Sequence, residues 1–384
     1  NHGFRTASSL FYLNSLLYLP VAKFYLFHFM AIYIMGFANI ILLKKIHNFF
    51  SSLNIQKKID ITNYLSLFSI IFINIFFFRI AEHGTDRSAQ ILIFLLIIEL
   101  ITYVNLKKKI NSSNLFNLCL LAALIVSLKA FYLLYAILFI PIFIFMQSIN
   151  RKFIKTFYFL IFNKSFILFL ILFLLIIFTN IINTGCAIYP ISFTCFDSID
   201  WGITSEKTLK MNNHYELWSK GGYTPNTRVS NPSEYIYGFN WVGNWINVYF
   251  FNKVSDFILG LIFMVIIVCL FFRKQFFKKK IKKNNHYTYW IYFILIILFI
   301  EWFYNHPALR YGGYCLIALL VFIPVCLRLE KSSINKKYYN KSVISLIIIT
   351  VVVFNLRNFN RLAKEINRYN YEPIKTTNYF VHES

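Results

Sequence analysis

The chain has 384 residues, of which 58% are hydrophobic, 20% aromatic and only 14% charged, and its mean hydropathy is +0.59. A soluble domain would carry roughly 25% charged residues, so a water-soluble globular enzyme is excluded. The net charge of +24 does not mark a nucleic-acid binder either, because Lys and Arg gather in short segments between apolar runs, as in the cytoplasmic loops of membrane proteins.

The chain opens on Asn1 rather than Met, and no signal peptide with a cleavage site is visible; this predicts a sequence truncated at its N-terminus. Residues 8–22 (SSLFYLNSLLYLPVA) pattern as an amphipathic interfacial helix, with Tyr12, Tyr18 and Lys23 suited to a headgroup region. Ten apolar spans follow, at about 25–43, 64–79, 91–105, 115–128, 131–147, 165–183, 254–272, 288–304, 312–327 and 342–357. Their length suits a hydrocarbon core of roughly 30 Å. They do not alternate apolar and polar residues as barrel strands would, so they are read as helices. The fourth and fifth spans are separated only by Lys129 and Ala130, and one bent or re-entrant element is the competing reading.

Placing the basic segment around Arg273 and Lys278–Lys280 in the cytoplasm puts 44–63, 105–114, 148–164 and 328–341 there too. These five short segments hold 23 of the 39 Lys and Arg residues, which makes the orientation self-consistent. The expected architecture is an all-α polytopic transmembrane bundle of about ten spans with a large extracytoplasmic loop. It divides into an N-terminal membrane region (1–183), an aromatic outside loop (184–253), a C-terminal membrane region (254–357) and an outside tail (358–384).

Chemistry is sought in the outside segments. Glu82, His83, Asp86 and Arg87 share the loop before the third span, where a carboxylate could act as general base toward a hydroxyl; surface solvation is the plainer reading. Glu99, inside the third span, must be protonated or paired. Lys129 could hold a lipid phosphate or pyrophosphate as a point charge, or snorkel to the interface. In the 184–253 loop, Cys186 and Cys195 could close a disulfide in an oxidising compartment, worth roughly 2–3 kcal/mol, or remain free thiols. Asp197 and Asp200 resemble a metal-binding acidic pair only superficially, and no metal ligand set is assigned. Trp201, Trp218, Trp241 and Trp245 lie in the same loop. Arg310, in the short outside loop His306–Arg310 after Glu301, suits bidentate phosphate recognition.

Three segments then carry a resemblance: residues 3–9 (GFRTASS), Gly185–Pro190 (GCAIYP) continuing to Asp200-Trp201, and Pro307–Gly313 (PALRYGG). Together they resemble a poorly characterised bacterial family of polytopic membrane glycosyltransferases of the GT-C type. Lys129 and Asp86 sit where that family carries such residues. The resemblance implies transfer of a sugar from a polyprenyl-phosphate donor to an envelope glycan or glycolipid acceptor, on the periplasmic side of the bacterial inner membrane. The roles implied are Lys129 and Arg310 on the donor phosphate, with Tyr189, Asp200, Trp201 and Trp218 around the glycan. GT-C enzymes place an essential carboxylate in their first outside loop, which is expected to lie upstream of Asn1; Asp86 is the candidate base within the chain. No cofactor is assigned and a divalent metal is left open. The partners expected are the lipid-linked sugar, its acceptor and membrane lipid, not nucleic acid. An O-antigen-type polymerase or ligase would share the many spans and large loop but depend on outside arginines. A transporter or flippase would line a midplane path with polar residues, and only Glu99 lies well inside a span.

Overall fold

The computed structural model describes residues 8–20, 26, 29–51, 59–79, 85–105, 112–150, 154, 158, 162, 164–224, 227–276, 286–331 and 336–369. The expectations placed on Gly3–Ala7, Lys23, Glu82, His83, Lys278–Lys280 and residues 370–384 lie outside them. The described chain is all-α apart from one small hairpin of two two-residue strands. It runs α1 (Ser9–Ser15), α2 (Phe29–Ser51), α3 (Ile61–Phe76), α4 (Thr85–Asn105) and α5 (Ser112–Leu128). A 3₁₀ helix (Ala130–Phe139) leads into α6 (Ile140–Asn150), followed by α7 (Lys164–Thr184) and α8 (Ser205–Ser219). The hairpin β1 (Tyr223–Thr224) and β2 (Thr227–Arg228) precedes α9 (Pro232–Ile236) and α10 (Val242–Trp245). A π-helical turn (Ile246–Val254) joins α10 to α11 (Ser255–Phe271); then come α12 (Arg273–Phe276), α13 (His286–Asn305), α14 (Gly313–Glu330) and α15 (Lys336–Tyr369).

Seven of these helical stretches are long and apolar enough to cross a membrane, and three shorter apolar ones fall at 61–76, 115–128 and 130–146. Large side chains such as Phe178, Leu259, Phe263, Ile300 and Ile348 are exposed on them. That surface would be costly in water and is what a lipid solvent accepts.

The helices differ in how deeply they are packed. Most of α4 is buried, whereas almost all of α7 is exposed or only half-buried. α3 and α4 form the centre, because α3 packs on α2, α14 and α15 while α4 packs on α2, α5 and α13. Phe72 of α3 meets Phe94 of α4 at 5.1 Å, Phe322 of α14 at 5.8 Å and Phe257 of α11 at 6.2 Å between ring centroids. Such offset and edge contacts add to the burial itself. Asp60 caps the first turn of α3, its carboxylate accepting from Ile61 N at 3.0 Å.

Several expected boundaries are corrected. The interfacial helix over 8–22 is only the seven residues of α1, anchored where Ser8 Oγ donates to Leu128 O at 2.7 Å. The aromatic loop does not run to 253: Val242–Phe271 is one continuous helical stretch, bridged by the π turn. Residues 358–369 belong to α15 rather than to a tail. The helices of the fourth and fifth apolar runs are interrupted at Lys129, whose backbone is extended (φ −158°, ψ 118°). The stretched 3₁₀ helix helps Ala130–Asn150 reach about 36 Å despite its 21 residues.

Candidate functional site

Three charges far apart in sequence converge at one end of the bundle. Asp86 lies in the first turn of α4, Lys129 in the break after α5, and Arg310 in a single 3₁₀ turn (Leu309–Tyr311) between α13 and α14. Asp86 Oδ2 accepts from Arg310 Nε at 2.8 Å, and Oδ1 accepts from Lys129 Nζ. The side chains are 10% exposed for Asp86, 21% for Lys129 and 54% for Arg310. The cluster is thus closed at its carboxylate and open at its arginine.

Aromatic rings wall it. Lys129 Nζ lies 4.3 Å above the Tyr311 ring, and the Arg310 guanidinium is 5.7 Å from both Trp218 and Tyr311. Such cation–π contacts hold charge without another carboxylate. Trp218 packs edge-on against Tyr311 at 6.2 Å and Tyr249 at 6.1 Å, and Tyr249 Oη donates to Trp218 O at 2.9 Å. Burial pushes the Tyr311 phenol up to about 12, against the opposing pull of Arg310, so the ring stays neutral.

The loop that presents Arg310 is held by its own carbonyls. Trp245 Nε1 donates to Pro307 O at 3.2 Å, and Trp302 Nε1 donates to Ala308 O at 3.0 Å. Gln90, one turn beyond Asp86 on α4, donates to Arg310 O at 3.1 Å and accepts from Cys315 N at 3.1 Å. Buried carbonyls need such partners, and here they also set the loop's path. Gly312 has φ +111°, where a side chain would be strained, and it lies against Tyr135 and Tyr132. A Cβ on Gly313 would sit 2.3 Å from Trp302 Cζ2.

His306 opens this loop. Its ring stands 5.8 Å from both Phe131 and Tyr311, and its buried Nδ1 has no hydrogen-bond partner among the described residues. Burial, then the charges of Lys220 and Lys129, push its imidazolium down to about 4. The ring is therefore neutral at pH 7. Lys220 is itself buried, paired with Glu216 at 2.6 Å and 5.2 Å from the Trp241 and Tyr304 rings.

Beyond α7 the chain folds around Cys186 and Cys195, which are joined by a disulfide. Thr208 of α8 packs on it, its hydroxyl 3.4 Å from Cys195 Sγ. Gly185, at φ +75°, touches the backbone of Gly202 so closely that a Cβ would meet Gly202 Cα at 2.7 Å. The Asp197 carboxylate accepts from Ser205 N at 2.6 Å and Ser205 Oγ at 2.7 Å, which holds it below the usual carboxylate range and ties it to the start of α8. Among the described residues no group of three or more His, Cys, Asp or Glu could hold a metal.

Of the residues singled out in the sequence, Asp86, Lys129, Arg310 and Trp218 come together. Asp200 and Trp201 do not join them: both are exposed at the end of α7, where Trp201 Nε1 donates to Ile182 O at 3.1 Å. Tyr189 is buried and bonds Tyr215, whose phenol lies near enough to Tyr311 to act on its ionisation. Asp86 is not a free carboxylate, since both oxygens are taken by cations. Glu99 pairs with Lys45 at 2.9 Å. Sequence reasoning missed Gln90, Tyr311, Tyr249 and the setting of His306. Gln90 alone left a signal, an amide at the edge of an apolar run four residues after Asp86.

An apolar cavity of about 410 Å³ adjoins the site, between α4, α5, α7 and the 3₁₀–α6 segment. Tyr132 and Tyr135 line it and would also meet a Cβ placed on Gly312, at 3.4 and 3.3 Å, so the cavity lies beside the cation loop.

These features define a polytopic α-helical membrane protein with a charged, aromatic-walled site at one end of its helices. Residues 3–317 match a family described as a domain of unknown function (DUF8201), and the chain belongs to that family. The matched stretch contains Asp86, Lys129 and Arg310. No protein of curated function and no solved structure matches the chain.

Proposed function

We propose that the chain is an integral-membrane glycosyltransferase of GT-C type, moving a sugar from a polyprenyl-phosphate donor to an envelope glycan or glycolipid acceptor. In this reading the ten apolar helices all cross the bacterial inner membrane, and the segment between α7 and α10 faces the periplasm with the site. The observation that carries the reading is the pairing of Lys129 and Arg310 around one carboxylate, beneath aromatic rings and beside an apolar cavity. The cations would receive the phosphate, Trp218 and Tyr311 would stack on the sugar, and the cavity would accept lipid chain. In the transfer, the acceptor oxygen bonds to the anomeric carbon and the carbon–oxygen bond to phosphate breaks. Lys129 and Arg310 stabilise the charge left on the phosphate, while Asp86 orients both cations rather than acting as base.

The occupied state of Asp86 favours one second reading, an O-antigen-type polymerase or ligase that works through arginine without a carboxylate. A single assay separates them. Purified protein in nanodiscs is given a panel of radiolabelled polyprenyl-phosphate hexoses and an envelope lipid extract. Transfer of one hexose, lost about 100-fold or more in Arg310→Ala and Lys129→Ala, supports the glycosyltransferase. Activity only on lipid-linked oligosaccharide units, with laddered or capped products, supports the polymerase or ligase. Undiminished hexose transfer by Arg310→Ala removes the proposed phosphate site.

A further inference from the structure

With Asp86 committed to two cations, the site needs another group to take the acceptor's proton. We propose that His306 is the general base of the transfer, taking the acceptor hydroxyl proton on its imidazole once the donor phosphate is bound; this rests on the glycosyltransferase reading above. Three observations place it. Its ring packs edge-on against Tyr311, the residue after Arg310, and against Phe131, two residues after Lys129. Nδ1 is sealed without a partner, while Nε2 makes no hydrogen bond to any described residue. Nε2 is therefore the nitrogen left for a ligand hydroxyl. The imidazole is also neutral, as a base must be before it acts.

The charges facing the ring explain the order of events. Lys129 and Lys220 both oppose an imidazolium, Lys220 being paired with Glu216, and Tyr311 contributes a neutral phenol. A phosphate between Lys129 and Arg310 offsets the Lys129 charge, so the imidazolium becomes easier to form when the donor is present. The proton then passes from the acceptor hydroxyl to Nε2 as the oxygen–carbon bond forms. The departing lipid phosphate carries away the electron pair of the broken bond. Without donor the ring resists protonation, and water is activated poorly.

Two measurements test this on the full chain in detergent. The first follows the His306 ring by NMR with ¹⁵N-histidine, assigned by His306→Gln, while polyprenyl monophosphate alone is added. The apparent pKa should rise by one unit or more; an unmoved pKa overturns the donor coupling whatever the transfer assay shows. The second compares transfer by His306→Gln and His306→Ala with polyprenyl monophosphate binding. Transfer should fall about 100-fold or more at unchanged binding, and added imidazole should restore part of it in His306→Ala. Transfer within threefold of wild type, or parallel loss of binding without rescue, overturns the base. A wild-type protein that binds the lipid phosphate and raises the His306 pKa, yet moves no sugar, leaves the coupling standing and removes the glycosyltransferase reading instead.

Discussion

Replacing Gly313 by alanine tests whether the Arg310 loop is as tightly packed as its contacts imply. The new Cβ would lie 2.3, 2.7 and 2.9 Å from Cζ2, Cε2 and Cη2 of Trp302, so the indole must move by about an ångström to reach ordinary contact. It has nowhere easy to go. Trp302 is 2% exposed, packs against Phe299 at 5.6 Å, and donates through Nε1 to Ala308 O. Overpacking of this kind costs about 1–3 kcal/mol, and loss of the indole hydrogen bond adds about 0.5–1.5 kcal/mol. Alanine's better helix propensity at the start of α14 returns about 1 kcal/mol. The net expectation is a destabilisation of about 1–3 kcal/mol, read as a lower melting temperature in fluorescence-detected gel filtration. Trp302→Phe removes the offending ring edge, so the double variant should be more stable than the two single effects summed, with a coupling of about 1–3 kcal/mol. A Gly313→Ala protein that melts with wild type, or strict additivity in the double variant, would refute the packing argument.

Other perturbations probe the same loop from different sides. Gln90→Leu keeps the volume but strands Arg310 O and Cys315 N; at about 1 kcal/mol for each interhelical bond, the melting temperature should fall by several degrees and lipid-phosphate affinity should drop, while equal affinity would show that Gln90 does not position Arg310. Asp86→Asn leaves two cations without their carboxylate. Buried pairs broken this way cost about 3–5 kcal/mol, which the exposure of Arg310 reduces to about 1–3 kcal/mol, to be measured by urea or thermal unfolding in detergent. For His306 the folded value of about 4 lies below the ordinary 6.5. The unfolded chain therefore binds the proton first as pH falls, and stability is full above about 6.5 and lost toward 4. At pH 5 the loss should be about 2 kcal/mol relative to pH 7.5, and His306→Phe should flatten that part of the pH profile.

The apolar helices were legible because long uncharged runs have one structural outcome in a bilayer. Their ends were less so. Asn244, Asn247 and Asn252 break the hydropathy of 242–253, yet the backbone continues through a π turn into α11; Asn252 donates to Val248 O one turn back, and Asn244 donates to Gly221 O after α8. Arg361 and Glu365 likewise mark an end to an apolar run but pair across one turn of the same helix, α15. At the site, Asp86, Lys129 and Arg310 stood out one by one as charges beside apolar spans. Their meeting did not, because it joins residues 43 and 224 positions apart and depends on how α4, α5 and α14 pack. Trp201, an indole in an aromatic loop and so a candidate sugar platform, lies apart from that cluster, with its N–H donated to the last turn of α7.

The charge balance of the cluster gives the strongest reason to expect an anion there. Lys129 and Arg310 together carry two positive charges against the one negative charge of Asp86, and the neutral His306 and Tyr311 add none. Asp86 and Arg310 are the charges that act on Lys129 most directly. A buried ion cluster is a poor route to stability, since apolar side chains of similar volume usually serve at least as well. A cluster left with net positive charge is poorer still, because the surplus cation is desolvated without full compensation. The surplus is carried by Arg310, whose fork meets Asp86 only through Nε and is the most exposed member. An anion approaching from that side would complete the charge balance, and a phosphate oxygen pair matches the fork better than a single point acceptor does. The apolar cavity behind Tyr132 then favours a phosphate that arrives on a lipid over one that arrives from water.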